Sequence, residues 1–268
     1  MGMFRSTRGR IGRFISRVED RAAGIEITES DGVRALHIDT STVQSAMKVA
    51  APYDLHLAYS RGIVSALLFG MDLHKVLVIG LGGGSIPKFI HHYLPDMQTR
   101  VVEIDPQIIA VARSHFHLQP DDDRLQVIEG DGAAYLPAHP ATADWLILDV
   151  FDGRGIPPEL YSQNFFDQAA AALTDAGLLA VNLWGSDKNF DLYLQRIEQS
   201  FAGQVLVLPT GRPGNIVVFG FRRKPSDLRW TTLRERARAL QAQYPIEFLE
   251  FVERLRDNNL STSNRLII

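Results

Sequence analysis

The stretch KVLVIGLGGGS, residues 75–85, decides how the rest of this chain is read. Val76 to Ile79 is an unbroken apolar run, the pattern of a strand covered on both faces rather than one with a wet side. Glycines at 80, 82, 83 and 84 follow at once, and the text from Ile86 to Tyr93 is helical. Strand, glycine turn and helix in that order open a nucleotide-binding α/β unit.

Working downstream, further strands are expected at 100–104, 125–128, 145–148 and 178–182, with a helix at 107–116. A final pair at 205–208 and 216–221, joined by a Gly/Pro-rich loop, reads as an antiparallel hairpin at a sheet edge. Helices at 229–244 and 247–256 close the chain, parted at Pro245 and carrying charge-rich, solvated faces. Alternation of this kind predicts an α/β fold with a doubly wound parallel sheet. Upstream, alternating runs at 25–29 and 33–38 flank Asp31-Gly32, a strong turn pair, and predict a small β-hairpin unit. Residues 59–69 read as a helix. The expected organisation is a basic segment over 1–22, a small β-hairpin domain over 23–58, and a nucleotide-binding catalytic α/β domain with C-terminal helices over 59–268.

Of the 268 residues, 46% are apolar and 22% charged, which suits a globular core and excludes low-complexity and fibrous classes. Cysteine is absent, so disulfide staples and thiolate chemistry are excluded, and a reducing cytoplasm is the expected location. Net charge is −3. Six arginines precede residue 22 against only Glu19 and Asp20, so the body is the acidic part. Arginines interrupt every apolar run there, which argues against an export signal. The segment is expected to be a solvated tail, or a short amphipathic helix on the body or a neighbouring subunit. No nucleic-acid or membrane partner is expected from an acidic body. His115 and His117 have no third ligand nearby, so no metal site is expected.

Ligands of open α/β sheets sit beyond the carboxyl ends of the strands, so the strand-to-helix turns are where chemistry should lie. Four turns carry something specific. Gly80, Gly82 and Gly84 allow a ligand close to backbone N–H groups, or serve a merely tight turn; Ser85 breaks the G-x-G-x-x-G pattern. Glu103 follows Gly80 by 23 residues, the spacing of an acid that accepts both hydroxyls of a ribose, and it also fits a solvated strand end. Such an acid disfavours NADP but not NAD or an adenosyl sulfonium. Asp131 and Gly132, after the third strand, suit the exocyclic amine of adenine and equally an ordinary turn. Asp149 and Asp152, after the fourth strand, place two carboxylates at the mouth of a buried sheet. One can act as a base while the other holds a cation, and either can instead cap a helix. Asp105 more simply caps the helix after the second strand.

Together, Ile-Gly-Leu-Gly-Gly-Gly (79–84), Val-Glu-Ile-Asp (102–105), Gly-Asp-Gly (130–132) and Leu-Asp-Val-Phe-Asp-Gly-Arg-Gly-Ile-Pro-Pro-Glu-Leu-Tyr (148–161) resemble the S-adenosylmethionine-type (Rossmann-like) fold. More narrowly, they resemble the spermidine synthase (polyamine aminopropyltransferase) family, from about residue 25 to residue 221. The resemblance implies a small N-terminal β domain and transfer of an aminopropyl group from decarboxylated S-adenosylmethionine to an amine such as putrescine. It also implies a homo-oligomer, dimer or tetramer. By the same resemblance Gln44, Gly80, Gly82, Gly84, Glu103, Asp131 and Gly132 hold the nucleotide. Asp149 is the general base, and Asp152 and Tyr59 bind the amine.

Some positions depart from the family pattern. Gly83 stands where the family's glycine motif has an aspartate facing the donor's amine. Tyr59-Ser60-Arg61, followed by a helix, is the better match to the family's Tyr-His-Glu segment, with Tyr53-Asp54 the alternative; either way the amine-gripping glutamate is missing, and Arg61 would repel a diamine if it pointed inward. Val150 and Phe151 replace two small residues between the paired aspartates, and Gly153 a proline. The alternatives left open are an S-adenosylmethionine-dependent methyltransferase of a small molecule and a non-catalytic nucleotide-binding relative. Trp184, after the fifth strand, walls the acceptor pocket or simply packs.

Overall fold

The computed structural model describes residues 13–18, 24–39, 41–150, 158–211 and 214–268. The N-terminal unit is a four-stranded antiparallel sheet of β1 (Arg13–Val18), β2 (Ile25–Ser30), β3 (Val33–Ile38) and β4 (Val43–Lys48), in that spatial order. The β2–β3 hairpin turns at Asp31-Gly32, both at positive φ, as the turn pair predicts. Of the segment 1–22, for which a tail or helix is expected, residues 13–18 form a strand that pairs antiparallel with β2, and the others lie outside the described residues. A bulge between Phe14 and Ser16 breaks the strand's alternation, and its sequence carries Arg13 and Arg17, residue types common on the edge strand it forms. Both features hide it from a search for period two.

The main unit runs α1 (Ala58–Val64), a 3₁₀ turn (Ser65–Phe69), β5 (Lys75–Ile79), α2 (Ser85–Tyr93), β6 (Gln98–Glu103), α3 (Pro106–His115), β7 (Leu125–Glu129), α4 (Gly132–Ala138) and β8 (Ala143–Leu148). It continues through a 3₁₀ turn (Pro158–Tyr161), α5 (Gln163–Ala172), β9 (Leu173–Trp184), α6 (Phe190–Ser200), β10 (Val205–Pro209), β11 (Asn215–Phe221), α7 (Trp230–Gln243) and α8 (Phe248–Asn258). The sheet order is β10-β11-β9-β8-β5-β6-β7. Five strands are parallel, and β11 and β10 form the antiparallel edge. Strand order therefore reverses between β5 and β8, which puts the crevice beyond Ile79 and Leu148.

The apolar runs divide by period two. Val76 and Val78 face one core with α1, α2, α3, α7, α8 and the small sheet, whereas Leu77 and Ile79 face a second core with α4, α5 and α6. Helices α4, α5 and α6 are absent from the sequence reading. The first starts on glycine and contains Pro137. The second is built on small alanines that give little periodic contrast. The terminal helices are less solvated than their charge suggests, since Trp230, Leu233, Phe248, Phe251 and Leu255 are buried. Among the described residues no helix is long and apolar enough to cross a membrane.

Lys88 on α2 is fully buried between the small sheet and the main unit, its Nζ donating to the Phe116 carbonyl and the Met47 thioether. Burial lowers its pKa to about 7. The unfolded chain then holds a proton between about pH 7 and 10.5 that the folded chain has released, so stability rises with pH across that window. Lys88→Met should remove the slope. Between pH 7 and 9 the wild type should gain about 2 kcal/mol relative to the variant, read by denaturant titration. Parallel stability curves for the two proteins would contradict it.

Candidate active site

A cavity of about 780 Å³ opens beyond the carboxyl ends of β5, β6 and β8, roofed by β4 and α1, a size that suits a small organic ligand. Its floor is set by backbone. Gly80 donates to the Val102 carbonyl and Asp149 to the Ile79 carbonyl at 2.9 and 3.0 Å, closing the three strand ends together. Gly80 has φ of +93°, and a Cβ there would lie 2.2 Å from the Asp149 carbonyl oxygen. Only glycine allows this approach.

Glu103 ends β6 and is only 8% exposed. One carboxylate oxygen accepts from Leu81 N at 2.9 Å and the other from Asp105 N at 3.0 Å. Burial raises its pKa, while these backbone donors pull it down in part. Each oxygen keeps a lone pair for a ligand hydroxyl. Asp105 caps α3 by accepting from Gln107 N, the role its sequence context suggested.

Asp131 is exposed and caps α4, accepting from Ala133 N at 2.8 Å. It serves the turn and also lines the cavity, where its second oxygen remains. Gly82 and Gly132 line the cavity too, but Gly84 does not: it starts α2 at φ +69° against Leu118. Asp152 lies outside the described residues.

Across the cavity, Asp149 accepts at Oδ1 from Asn182 Nδ2 at 3.0 Å and receives a second hydrogen bond from the Tyr59 hydroxyl. Burial raises its pKa, opposed by those two hydrogen bonds. The Tyr59 phenol is pushed well up, first by burial and then by the charge and hydrogen bond of Asp149. The same hydroxyl lies 3.2 Å from the Gln44 carbonyl, and its single proton is shared between that carbonyl and Asp149, so the small sheet meets the carboxylate at this hydroxyl. The Gln44 side-chain nitrogen is buried at the cavity with no hydrogen-bond partner among the described residues. A buried amide donor left this way is incomplete without a ligand.

Gln44, Tyr59, Gly80, Gly82, Glu103, Asp131, Gly132 and Asp149 thus share one cavity, together with Trp184. Arg61 does not reach it. Its guanidinium turns to Glu247, Nε 2.8 Å from Oε2, so the feared repulsion of an amine is absent. At Gly83 a Cβ would fall 2.7 Å from Ser45 Oγ and 3.0 Å from Phe116, so these side chains occupy the space an aspartate needs.

Two asparagines were not read from the sequence. Asn182 sits on β9, 6% exposed, and Asn215 on β11 donates from Nδ2 to Asn182 Oδ1 at 2.9 Å. A lone amide inside Leu-Leu-Ala-Val-Asn-Leu-Trp (178–184) was the available signal for the first. Asn215 has none, because only the β11–β9 register brings it there.

Residues 57–209 match the family model described as the spermine/spermidine synthase domain. The polyamine aminopropyltransferase of Chromobacterium violaceum is 40% identical over 91% of this chain and 94% of its own. The solved spermidine synthase of Thermotoga maritima superposes with a TM-score of 0.70, covering 91% of this chain and 84% of that one at 19% identity. Human methyltransferase-like protein 13, solved in complex with SAH, superposes with a TM-score of 0.62 at 26% identity, over 70% of this chain and 92% of its own. With more than half its length inside the family model and a relative this similar from end to end, the chain belongs to the spermine/spermidine synthase family.

Proposed function

We propose that the protein transfers an aminopropyl group from decarboxylated S-adenosylmethionine to a small amine, with Asp149 as the general base. One observation supports this above the others: Glu103 and Asp149 face a single cavity from the two sides of the β5 crevice. The kinship with polyamine aminopropyltransferases supports the same reading.

In this reading the ribose hydroxyls donate to Glu103 and the adenine amine to Asp131, while the Gln44 amide meets the donor from the small sheet. The sulfonium then lies between Glu103 and Asp149. An amine at neutral pH carries an extra proton and has no lone pair to give. Asp149 takes that proton. The freed nitrogen attacks the methylene next to sulfur: the C–N bond forms, the C–S bond breaks, and its electron pair leaves on a neutral thioether, methylthioadenosine. Asp149 returns its proton to solvent, and the product is a secondary amine. Tyr59 keeps the carboxylate aimed, and Asp152 would hold the acceptor. In-line alignment of the two reactants supplies much of the remaining acceleration. Self-association as a dimer or tetramer belongs to the same proposal.

The test is product identity. Purified protein given the decarboxylated donor should release methylthioadenosine only when an amine such as putrescine is added. A second reading, methyl transfer from S-adenosylmethionine, is favoured by Gly83, where the family's acid is missing, and by the kinship with a methyltransferase. It requires S-adenosylhomocysteine from the carboxylated donor instead, and that product without any methylthioadenosine would overturn the proposal.

A further inference from the structure

Two asparagines run to Asp149 as a directed chain of amides. Asn215 Nδ2 donates to Asn182 Oδ1 at 2.9 Å, and Asn182 Nδ2 donates to Asp149 Oδ1 at 3.0 Å. The sheet register sets this up: Asn215 lies opposite Trp184, and Asn182 opposite Val217, so the two asparagines are diagonal neighbours on one face. The backbone of Asn215 is pinned in turn, since its main-chain carbonyl accepts from both the backbone N and the hydroxyl of Thr210.

An amide in such a place has two orientations, and the chain permits one. A carboxylate only accepts, so Asn182 must show it the NH₂ end, leaving its oxygen to face the second asparagine. Turning Asn182 over would set oxygen against carboxylate and NH₂ against NH₂. At 6% exposure little water is present to relieve either contact. The carboxylate and the second asparagine therefore hold the same orientation from opposite ends, and only the asparagine still does so once Asp149 is protonated.

We propose that Asn215 is a positioning residue: by locking the Asn182 amide it keeps a hydrogen-bond donor on Asp149 and so sets the proton affinity of the base. Burial alone would drive Asp149 further toward its protonated form, and the Asn182 donor opposes this. Tyr59 donates to Asp149 as well and acts in the same direction, but it does not pass through this lock. Tyr59 on α1 and Tyr161 on the 158–161 turn are phenols whose pKa values lie well above the ordinary one, so both stay neutral where the base titrates. Glu159 shares the turn with Tyr161 and lines the cavity, and the charge of Asp187 helps raise the Tyr161 pKa.

The test is a double-mutant cycle read by two observables. The first is titration of the Asp149 carboxyl carbon by NMR in ¹³C-aspartate-labelled protein, its signal assigned with Asp149→Asn. The second is the acid limb of the kcat–pH profile. Asn215→Leu should move the Asp149 titration up by roughly half to one pH unit, and Asn182→Leu by about one or more. Asn215→Leu should add nothing in the Asn182→Leu background, because the lock then has nothing to hold. Asn215→Gln, which keeps an amide donor, should restore part of the shift and covers the case in which the leucine variant folds poorly. No shift in Asn215→Leu, or an equal shift in both backgrounds, would overturn the proposal. The inference rests on Asp149 as base only for its kinetic readout. If the NMR titration moves and the acid limb does not, the lock stands and the assignment of the base fails.

Discussion

Asp149→Asn should lower turnover by about 10²- to 10⁴-fold, the range for loss of a positioned proton acceptor, while donor binding changes little. The asparagine is nearly isosteric and can still accept from Asn182, so the cavity keeps its shape, but no group remains to take the amine's proton. Isothermal titration with the donor and steady-state kinetics with the amine separate the two effects, since loss confined to kcat marks an interaction used only in the reaction. Raising the assay pH should rescue part of the activity, because the amine then loses its own proton to solvent. The wild-type acid limb should also lie above the ordinary aspartate range, as burial raises the Asp149 pKa.

The same substitution should stabilise the fold. A carboxyl whose pKa is raised in the folded state binds its proton more readily folded than unfolded. Stability therefore falls as pH rises from the unfolded pKa through the folded one, and at neutral pH the charge is a net cost. Removing it should raise the melting temperature by about 2–4 °C for each kcal/mol recovered, given a chain of this size. Full turnover by Asp149→Asn would remove the base assignment. Lost donor binding would point instead to a collapsed pocket.

How much of this was legible in sequence follows from which interactions are local. The buried run 76–79 and its glycines announced strand, turn and helix, because a parallel strand covered on both faces must be apolar throughout. Glu103, Asp131 and Asp149 could be picked out because the fold delivers the carboxyl ends of the parallel strands to one edge of the sheet. The hairpin at 205–221 was readable from its Gly/Pro loop. Arg13–Val18 was not, since a bulged, arginine-studded edge strand has no clean period. The outward turn of Arg61 depends on Glu247, 186 residues away, and nothing near residue 61 foretells it. Asn215 is similar: its partner is fixed by antiparallel register, a property of the assembled sheet. Lys88 would pass in sequence for a surface residue of α2, and only docking of the small sheet buries it.

Glu103→Ala should raise the donor's KM by roughly 10²- to 10⁴-fold, as two hydroxyl contacts to a buried charge are lost and each is worth about 1.5–3 kcal/mol. It should also loosen the fold, because Leu81 and Asp105 both lose the acceptor of their N–H groups. Glu103→Gln separates these roles. One amide oxygen can still serve one of the two backbone donors, but the NH₂ end faces the other and cannot accept from the ribose. Donor binding should therefore fall by about 10-fold or more. Stability should drop less than in the alanine variant, since one backbone donor keeps its acceptor and no cavity opens. The raised pKa of Glu103 gives the pH sign. Ribose hydroxyls are held best by the ionised form, so the donor's KM should climb as pH falls through a value above the ordinary glutamate range, and this climb should be absent in Glu103→Gln. Donor titrations at several pH values check all three expectations. If both variants bound the donor as the wild type does, the ribose would have to lie elsewhere in the cavity.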